Sequence, residues 1–132
     1  MTLDRREAMS GKGSKFMEIA EAIMEEIIAG RIASGDKVPS VRETAMRMGV
    51  TPNTAANAHG HLKDLGITVS VHGSGSTVRP AGPEICRSYM YEKFIDLELP
   101  VLRHRMRLLG LSEEKIVALL KGGAPPGKGT QE

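Results

Sequence analysis

The chain has 132 residues, a length typical of one domain with an appendage. Its 18 Lys and Arg residues and 16 Asp and Glu residues give a formal net charge of +2. That charge neither requires nor excludes a nucleic-acid partner, because positive side chains can be concentrated on one face. The aromatic content of 3% argues against a protein that binds RNA or single strands by stacking bases on aromatic rings.

The single cysteine, Cys86, excludes an intramolecular disulfide, and we interpret it as an inert buried thiol rather than a redox sensor. The first residues lack the apolar run of a signal peptide. No uncharged apolar stretch approaches the length of about 18 residues that a membrane span needs. We therefore expect a cytoplasmic protein without a membrane segment.

The N-terminal part of the chain predicts a flexible arm followed by an amphipathic helix. Residues 1–14 end in a stretch of Ser, Gly and Lys and are expected to form the arm. Apolar residues then recur every three or four positions, as on one face of a helix: Phe16, Ile19, Ile23 and Ile27. We expect this helix to end near Gly30.

Two further helices are predicted directly after a turn-rich connection. Ser40 and Glu43 have the spacing of a capping box, in which each side chain binds the other residue's backbone N–H. The helix that begins there is short and ends at Gly49. Thr51 is suited to cap the next helix, and Pro52 then occupies its first position. Two helices joined by a short turn with glycine are typical of a helix-turn-helix.

A short hairpin is predicted after the second of these helices. Residues 67–71 alternate apolar and polar side chains, the pattern of a half-buried strand, and 77–79 form the returning strand. A hairpin in this place is a wing. The predicted fold is therefore mainly α with a small β-hairpin, a winged helix-turn-helix over residues 15–80.

The stretch Pro80–Pro83 predicts a linker with a domain boundary, and the remainder of the chain predicts a helical tail over residues 81–121 and a disordered end at 122–132. Pro100 is expected to kink or break the helix that contains it, since its ring clashes with the preceding turn. Apolar residues at spacings of four, three and four form a seam suited to pairing with the helix of a second copy: Met90, Phe94, Leu97 and Val101.

Several segments in a defined order resemble the GntR family of bacterial regulators: Gly35–Glu43, Val50–Thr54, Gly66 with Ile67, and Gly73–Gly75. Together they cover most of residues 15–80. The tail, with Leu108–Glu114, is similar to that of the YtrA-type branch, in which a short helical tail serves chiefly for dimerisation.

The resemblance implies that the winged helix binds double-stranded DNA. Arg42 would contact a phosphate or a guanine edge, and residues at the wing tip would lie along the backbone or the minor groove. The predicted DNA contacts are Ser40, Arg42, Thr51, Asn53, Thr54, Asn57, His72 and Gly73. Arg paired with guanine and Asn paired with adenine are the geometrically suited contacts.

Other interpretations of these residues stay open. Thr51 would also suit a structural role as an N-cap, which is compatible with DNA contact, and Asn53, Thr54 and Asn57 would also suit a solvated helix face. The family often has a basic residue in the middle of the recognition helix, where this chain has Ala56 and Asn57.

His59 stands where the family often has Tyr, and we expect it to pack rather than to bind metal with His61, because residues two apart do not share a helix face. Lys63 is the only Lys or Arg between Thr51 and Leu65.

From these observations we expect a homodimer that reads a palindromic operator and represses transcription, without catalytic activity, metal or other cofactor. A small-molecule effector would act by changing the angle between the halves of the dimer, and its identity stays open. The alternative is a winged-helix dimer that has lost specific DNA binding and serves protein interactions. A third class, a small enzyme or ligand carrier, has no nucleophile-base arrangement or phosphate loop in the sequence to support it.

Overall fold

The computed structural model of the chain describes residues 15–73 and 75–122. The predicted arm at 1–14 and the predicted disordered end from residue 123 onward lie outside the described residues. The elements are α1 Lys15–Ile28, α2 Val41–Met48, α3 Pro52–Asp64, β1 Thr68–Ser70, β2 Ser76–Val78, α4 Gly82–Lys93, a π-helical turn Phe94–Glu98, α5 Leu99–Leu109 and α6 Glu113–Leu120. They form two compact units, which divide between Leu97 and Glu98.

The core of the first unit lies between α1, α3 and α4. The apolar stripe of α1 is buried as its periodicity predicts, and it packs against the inner side of α3. The largest fully buried side chains are Met24, Leu62, Ile67, Val78 and Cys86. Burying each large aliphatic side chain contributes about 1.5–3 kcal/mol, so this cluster is the main source of stability for the unit.

The helix-turn-helix forms where the sequence signals predict it. The backbone N–H of Glu43 donates to Ser40 Oγ at 3.0 Å, and the backbone N–H of Ser40 donates to Glu43 Oε1 at 2.9 Å. Gly49 ends α2 in the left-handed conformation, with φ of 68°. Thr51 caps α3 by accepting from the backbone N–H of Thr54 at 3.2 Å. The fold class is thereby confirmed as a mainly helical winged helix-turn-helix with a small hairpin.

The wing hairpin is shorter than predicted, and its two strands pair antiparallel over three residues each. Thr68 is buried, whereas 46% of the surface of Val69 and 37% of that of Val71 is exposed. The expectation that the apolar residues of 67–71 share the buried face is therefore wrong beyond Ile67. The reason is the register: Thr68 lies opposite the buried Val78, so the inner face carries Thr68 and the next residue points outward.

A third strand-like segment lines the other edge of β2. The backbone N–H of Val38 donates to Ser76 O at 3.0 Å, and Val78 N–H donates to Asp36 O at 2.9 Å. Lys37 forms the bridge with Thr77. The connection between α1 and α2 is thus tied to the wing, which holds α2 and the hairpin in one assembly.

Helix α4 belongs to the first unit, although the composition of Pro80–Pro83 predicts a linker and a domain boundary there. Gly82 approaches the wing so closely that a Cβ there would lie 2.7 Å from Val78 Cγ1 and 2.8 Å from Ile67 O. Cys86 is completely buried in the core. The helix also packs along α1, so the compact unit extends to Leu97.

The region around Pro100 differs in detail from the predicted kink. Helix α4 ends at Lys93, and the five residues Phe94–Glu98 form a π-helical turn before α5 begins at Leu99. Pro100 is the second residue of α5, which continues directly from the π-helical turn. The irregularity therefore precedes the proline.

The second unit consists of α5 and α6, and neither helix has a buried residue. Gly110 ends α5 in the left-handed conformation, and Ser112 caps α6 by accepting from the backbone N–H of Lys115 at 3.1 Å. Among the described helices, none has the length and apolar character to cross a membrane.

Candidate nucleic-acid interface

Helix α3 has a buried side and an exposed side. Ala55, Ala58 and Leu62 face the core. On the opposite side, residues at spacings of three and four share a face that points to solvent, which we call the α3 outer face: Asn53, Ala56, Asn57 and Gly60. A Cβ added at Gly60 would meet nothing within 4 Å, so the space above this part of the face is open.

Between Asn53 and Gly60 the α3 outer face carries no cationic side chain, and the exposed Lys63 follows about one turn beyond Gly60. Within Pro52–Asp64 the only Lys, Arg, Asp or Glu residues are Lys63 and Asp64, whose charges cancel. Its chemistry is therefore that of two amides and one methyl group.

A groove of about 300 Å³ runs beside this face and extends to other elements of the first unit. Its walls come from the N-terminus of α2, the middle of α3 and the wing: Val38, Pro39, Ser40, Val41, Ala56, His59, Gly60, Lys63, Ser70, Gly75 and Ser76. Most of these side chains are small or polar, and Lys63 supplies the positive charge. A larger cleft of about 500 Å³ lies between α1 and α2 and does not touch α3.

The hydroxyl groups predicted to contact DNA are engaged in helix caps. Ser40 Oγ accepts from Glu43 N–H, and Thr51 Oγ1 lies 3.1 Å from Thr54 Oγ1 in addition to its capping bond. Ser40 and Thr51 remain exposed, and Thr54 is partly exposed. Their first role is structural: they set where α2 and α3 begin.

The remaining predicted DNA contacts are exposed. Arg42 lies in the first turn of α2. Asn53 and Asn57 lie on the α3 outer face, one helical turn apart. His72 and Gly73 form the tip of the wing, where Gly73 has φ of 72°, a conformation that glycine adopts without strain.

His59 and His61 point to different elements, as their spacing predicts. His59 Nε2 lies 3.0 Å from the hydroxyl of the buried Thr44, which joins α3 to α2, and burial lowers the pKa of His59. His61 packs edge-on between Phe16 and Tyr89, with ring centroids 6.0 Å and 6.2 Å away.

Lys37 is a further candidate for DNA contact, which no local sequence pattern predicts. It is exposed and lies in the strand-like segment that pairs with Thr77 of the wing. No local pattern identifies this segment as a strand, because its pairing depends on β2, which is remote in the sequence. Lys37 adds a positive charge beside the wing, and Lys63 adds one beside the groove.

The four residues of the predicted dimer seam have different surroundings. Met90 is half-buried against the core of its own unit. Phe94 is 47% exposed, next to exposed Tyr91 and Ile95, whereas Leu97 is partly buried. Val101 belongs to the second unit and is partly buried there.

An ion pair fastens α4 to α1 close to that seam. Lys93 Nζ lies 2.5 Å from Glu21 Oε1, and both side chains are more than four-fifths buried, with exposures of 17% and 15%. Tyr89 donates its hydroxyl to Glu21 Oε2 at 3.4 Å, and burial together with the nearby carboxylate raises the pKa of Tyr89 to about 12. Burial also raises the pKa of the Cys86 thiol to about 11, which keeps it protonated and unreactive at neutral pH.

Comparison with known proteins agrees with this geometry. Residues 16–78 match the model of the gntR family of bacterial regulatory proteins. The HTH-type transcriptional regulator YhcF of Bacillus subtilis strain 168 is 27% identical over 106 residues, which are 80% of this chain and 86% of YhcF. The HTH-type transcriptional repressor YtrA of the same organism is 33% identical over 63 residues, 48% of either chain.

A solved structure extends the similarity beyond the winged helix. The GntR family transcriptional regulator from Listeria monocytogenes superposes with a TM-score of 0.65 at 28% identity, over 83% of this chain and 94% of that one. The helix-turn-helix that contains α3 is thus part of the fold that the two proteins share. Residues 16–78 therefore form a DNA-binding domain of the GntR family of bacterial transcriptional regulators, and the chain is similar to YtrA.

Proposed function

We propose that the chain is a homodimeric, cytoplasmic repressor that binds a palindromic operator in double-stranded DNA. The observation that carries this proposal is the α3 outer face, which meets solvent while the opposite side of α3 fills the core. In helix-turn-helix proteins the second helix enters the major groove and its N-terminal residues contact base edges. Asn53 and Asn57 occupy that part of α3, and Arg42 and His72 are exposed on neighbouring elements.

The second unit supports the homodimer. Its helices have 11 and 8 residues, and isolated helices of that length are marginal in water. Their apolar side chains are largely exposed, including Leu108 at 69%, Leu109 at 72% and Leu120 at 78%. Contact with the same unit of a second copy would remove this surface from water. We expect Phe94, Leu97 and Val101 to contribute to this contact between copies, and Met90 to pack α4 against the core of the first unit.

Twofold symmetry of the dimer implies twofold symmetry of the operator. Two recognition helices that enter successive major grooves on one face of the duplex read half-sites about 34 Å apart. Repression follows when the bound dimer occupies promoter DNA and excludes the polymerase. The similarity to YtrA, a transcriptional repressor, favours repression over activation.

The test is fluorescence anisotropy of the full chain with labelled DNA from upstream of its own gene, across a salt series. We expect tight binding compared with a scrambled duplex, and an affinity that falls steeply with salt as Lys and Arg side chains displace counterions from phosphates. Arg42→Ala should weaken specific binding by about 5- to 150-fold, the range of one good base or phosphate contact.

Arg87→Ala is the matched control. Arg87 is exposed on α4 and pairs with Glu84 at 3.1 Å, so its loss should leave DNA affinity unchanged. If neither upstream DNA nor any duplex from a random-sequence selection binds a folded dimer better than scrambled DNA does, the proposal is wrong. The neutral charge of α3 would then point to a winged-helix dimer that binds proteins instead.

A further inference from the structure

We infer that the α3 outer face selects an A·T-rich sequence in each half-site. This inference rests on the proposed function and adds the bases that the site recognises. The α3 outer face presents to a DNA groove the amides of Asn53 and Asn57, the methyl group of Ala56 and the open space at Gly60. The hydroxyls of Thr51 and Thr54 lie 3.1 Å apart, and that of Thr51 also accepts from the backbone N–H of Thr54, which leaves the amides as the main polar groups.

The bases differ in the groups that they show in the major groove. Guanine presents two acceptors, O6 and N7, which a guanidinium or ammonium group binds. Adenine presents an acceptor at N7 and a donor at N6, which match the amide of Asn in both directions, and thymine presents a methyl group. Between Asn53 and Gly60 the α3 outer face has no Lys or Arg to bind guanine, but it has two amides for adenine and one methyl group for thymine. Lys63 lies about one turn further on, away from the N-terminal residues of α3 that reach base edges.

The spacing of these groups suits separate base pairs. Residues four apart on a helix have Cβ atoms about 5–6 Å apart. Base pairs follow each other at about 3.4 Å along the duplex. Asn53 and Asn57 can therefore reach two different base pairs, with Ala56 beside Asn57 at the next position on the face. The recognised segment is a short run of A·T pairs rather than a single base.

The preference for A·T pairs applies only to the base pairs that α3 contacts, because Arg42 can contact others. It lies on α2, outside the α3 outer face, and is free to bind a phosphate or a guanine at the edge of the half-site. A flanking G·C pair is compatible with the inference, whereas G·C pairs at the positions sensitive to Asn57 are not.

The experiment is a random-sequence selection with the full chain, repeated for three variants. The unchanged chain should enrich A·T pairs at adjacent positions of each half-site. Asn57→Ala should flatten the preference at one of these positions by about 5- to 150-fold, the discrimination given by one bidentate contact. Asn57→Arg should replace the preferred adenine at that position by guanine.

Ala29→Arg is the matched control for charge. Ala29 is exposed and lies after α1, so this change adds the same charge as Asn57→Arg outside α3. It should leave the selected sequence unchanged. Enrichment of G·C pairs at the positions that respond to Asn57 would overturn the inference and leave the proposed function intact. A folded dimer that enriches no sequence would overturn both.

Discussion

The two compact units of the chain differ in how they bury apolar side chains. In the first unit Met24, Leu62 and Ile67 are fully buried, and the helices close around them. In the second unit α5 and α6 have no buried residue, although leucines are abundant in both. The first unit therefore has a buried core of its own to stabilise it. The second unit has none, so its stability requires contacts from outside that unit.

Under the proposed function, this difference gives the two units different roles. The unit with the buried core would present the amides of the α3 outer face to a duplex, and the unit without one would supply apolar surface for association. A pair of identical substitutions, one in each unit, tests the difference directly, because the first should act on folding and the second on dimerisation.

The largest effect is expected in the first unit. Leu62→Ala removes a side chain with 0% exposure between α1 and α3 and leaves a cavity, so the free energy of unfolding should fall by about 2–5 kcal/mol. Urea unfolding followed by circular dichroism measures this change. A loss below about 1 kcal/mol would contradict the account of the core.

A smaller and different effect is expected for Leu109→Ala in the second unit. Leu109 is 72% exposed in one copy, so the change should weaken the dimer about tenfold or more, at about 1.5–3 kcal/mol per buried leucine. Sedimentation equilibrium measures the dissociation constant. Unfolding of the first unit at low protein concentration should stay unchanged, and an equal loss of stability there would contradict the division between the units.

The smallest effect concerns pH and the contact between α2 and α3. Burial lowers the pKa of His59, so the folded state binds fewer protons than the unfolded chain does. Stability from this group is complete above the unfolded pKa of about 6.5 and is lost as the pH falls below it. Thermal unfolding measured between about pH 7.5 and about pH 5 should show this loss of stability.

His59→Gln should make that pH dependence shallower, since glutamine keeps a hydrogen-bonding group near Thr44 without titrating in this range. His72→Gln is the matched control, because His72 is exposed at the wing tip. Equal effects of the two substitutions would show that burial of His59 does not cause the pH dependence of stability.

Local signals in the sequence predicted the helix-turn-helix well. The capping box at Ser40 and Glu43, the glycine at position 49 and the Thr51–Pro52 start each act within a few residues, and the structure has all of them. The exposed positions of Asn53 and Asn57 follow from the helical period once the start of α3 is known.

The features that were missed depend on contacts between remote residues. The strand-like pairing of Lys37 with Thr77 requires β2 to be in place, and the same sheet register buries Thr68 and exposes Val69. The docking of α4 depends on the close approach of Gly82 to Val78, which a Pro- and Gly-rich stretch does not reveal. A linker composition therefore predicted a boundary where the structure has a packed junction.

The most direct test of the central claim compares one half-site with two. A duplex with both selected half-sites and a duplex with one of them scrambled are titrated with the full chain, and anisotropy and binding stoichiometry are recorded. We predict two protomers per palindromic duplex and an affinity at least about tenfold higher than for the half-scrambled duplex, since the dimer engages both sites together. Equal affinity for the two duplexes, with one protomer on each, would contradict a dimer that reads a palindrome through α3.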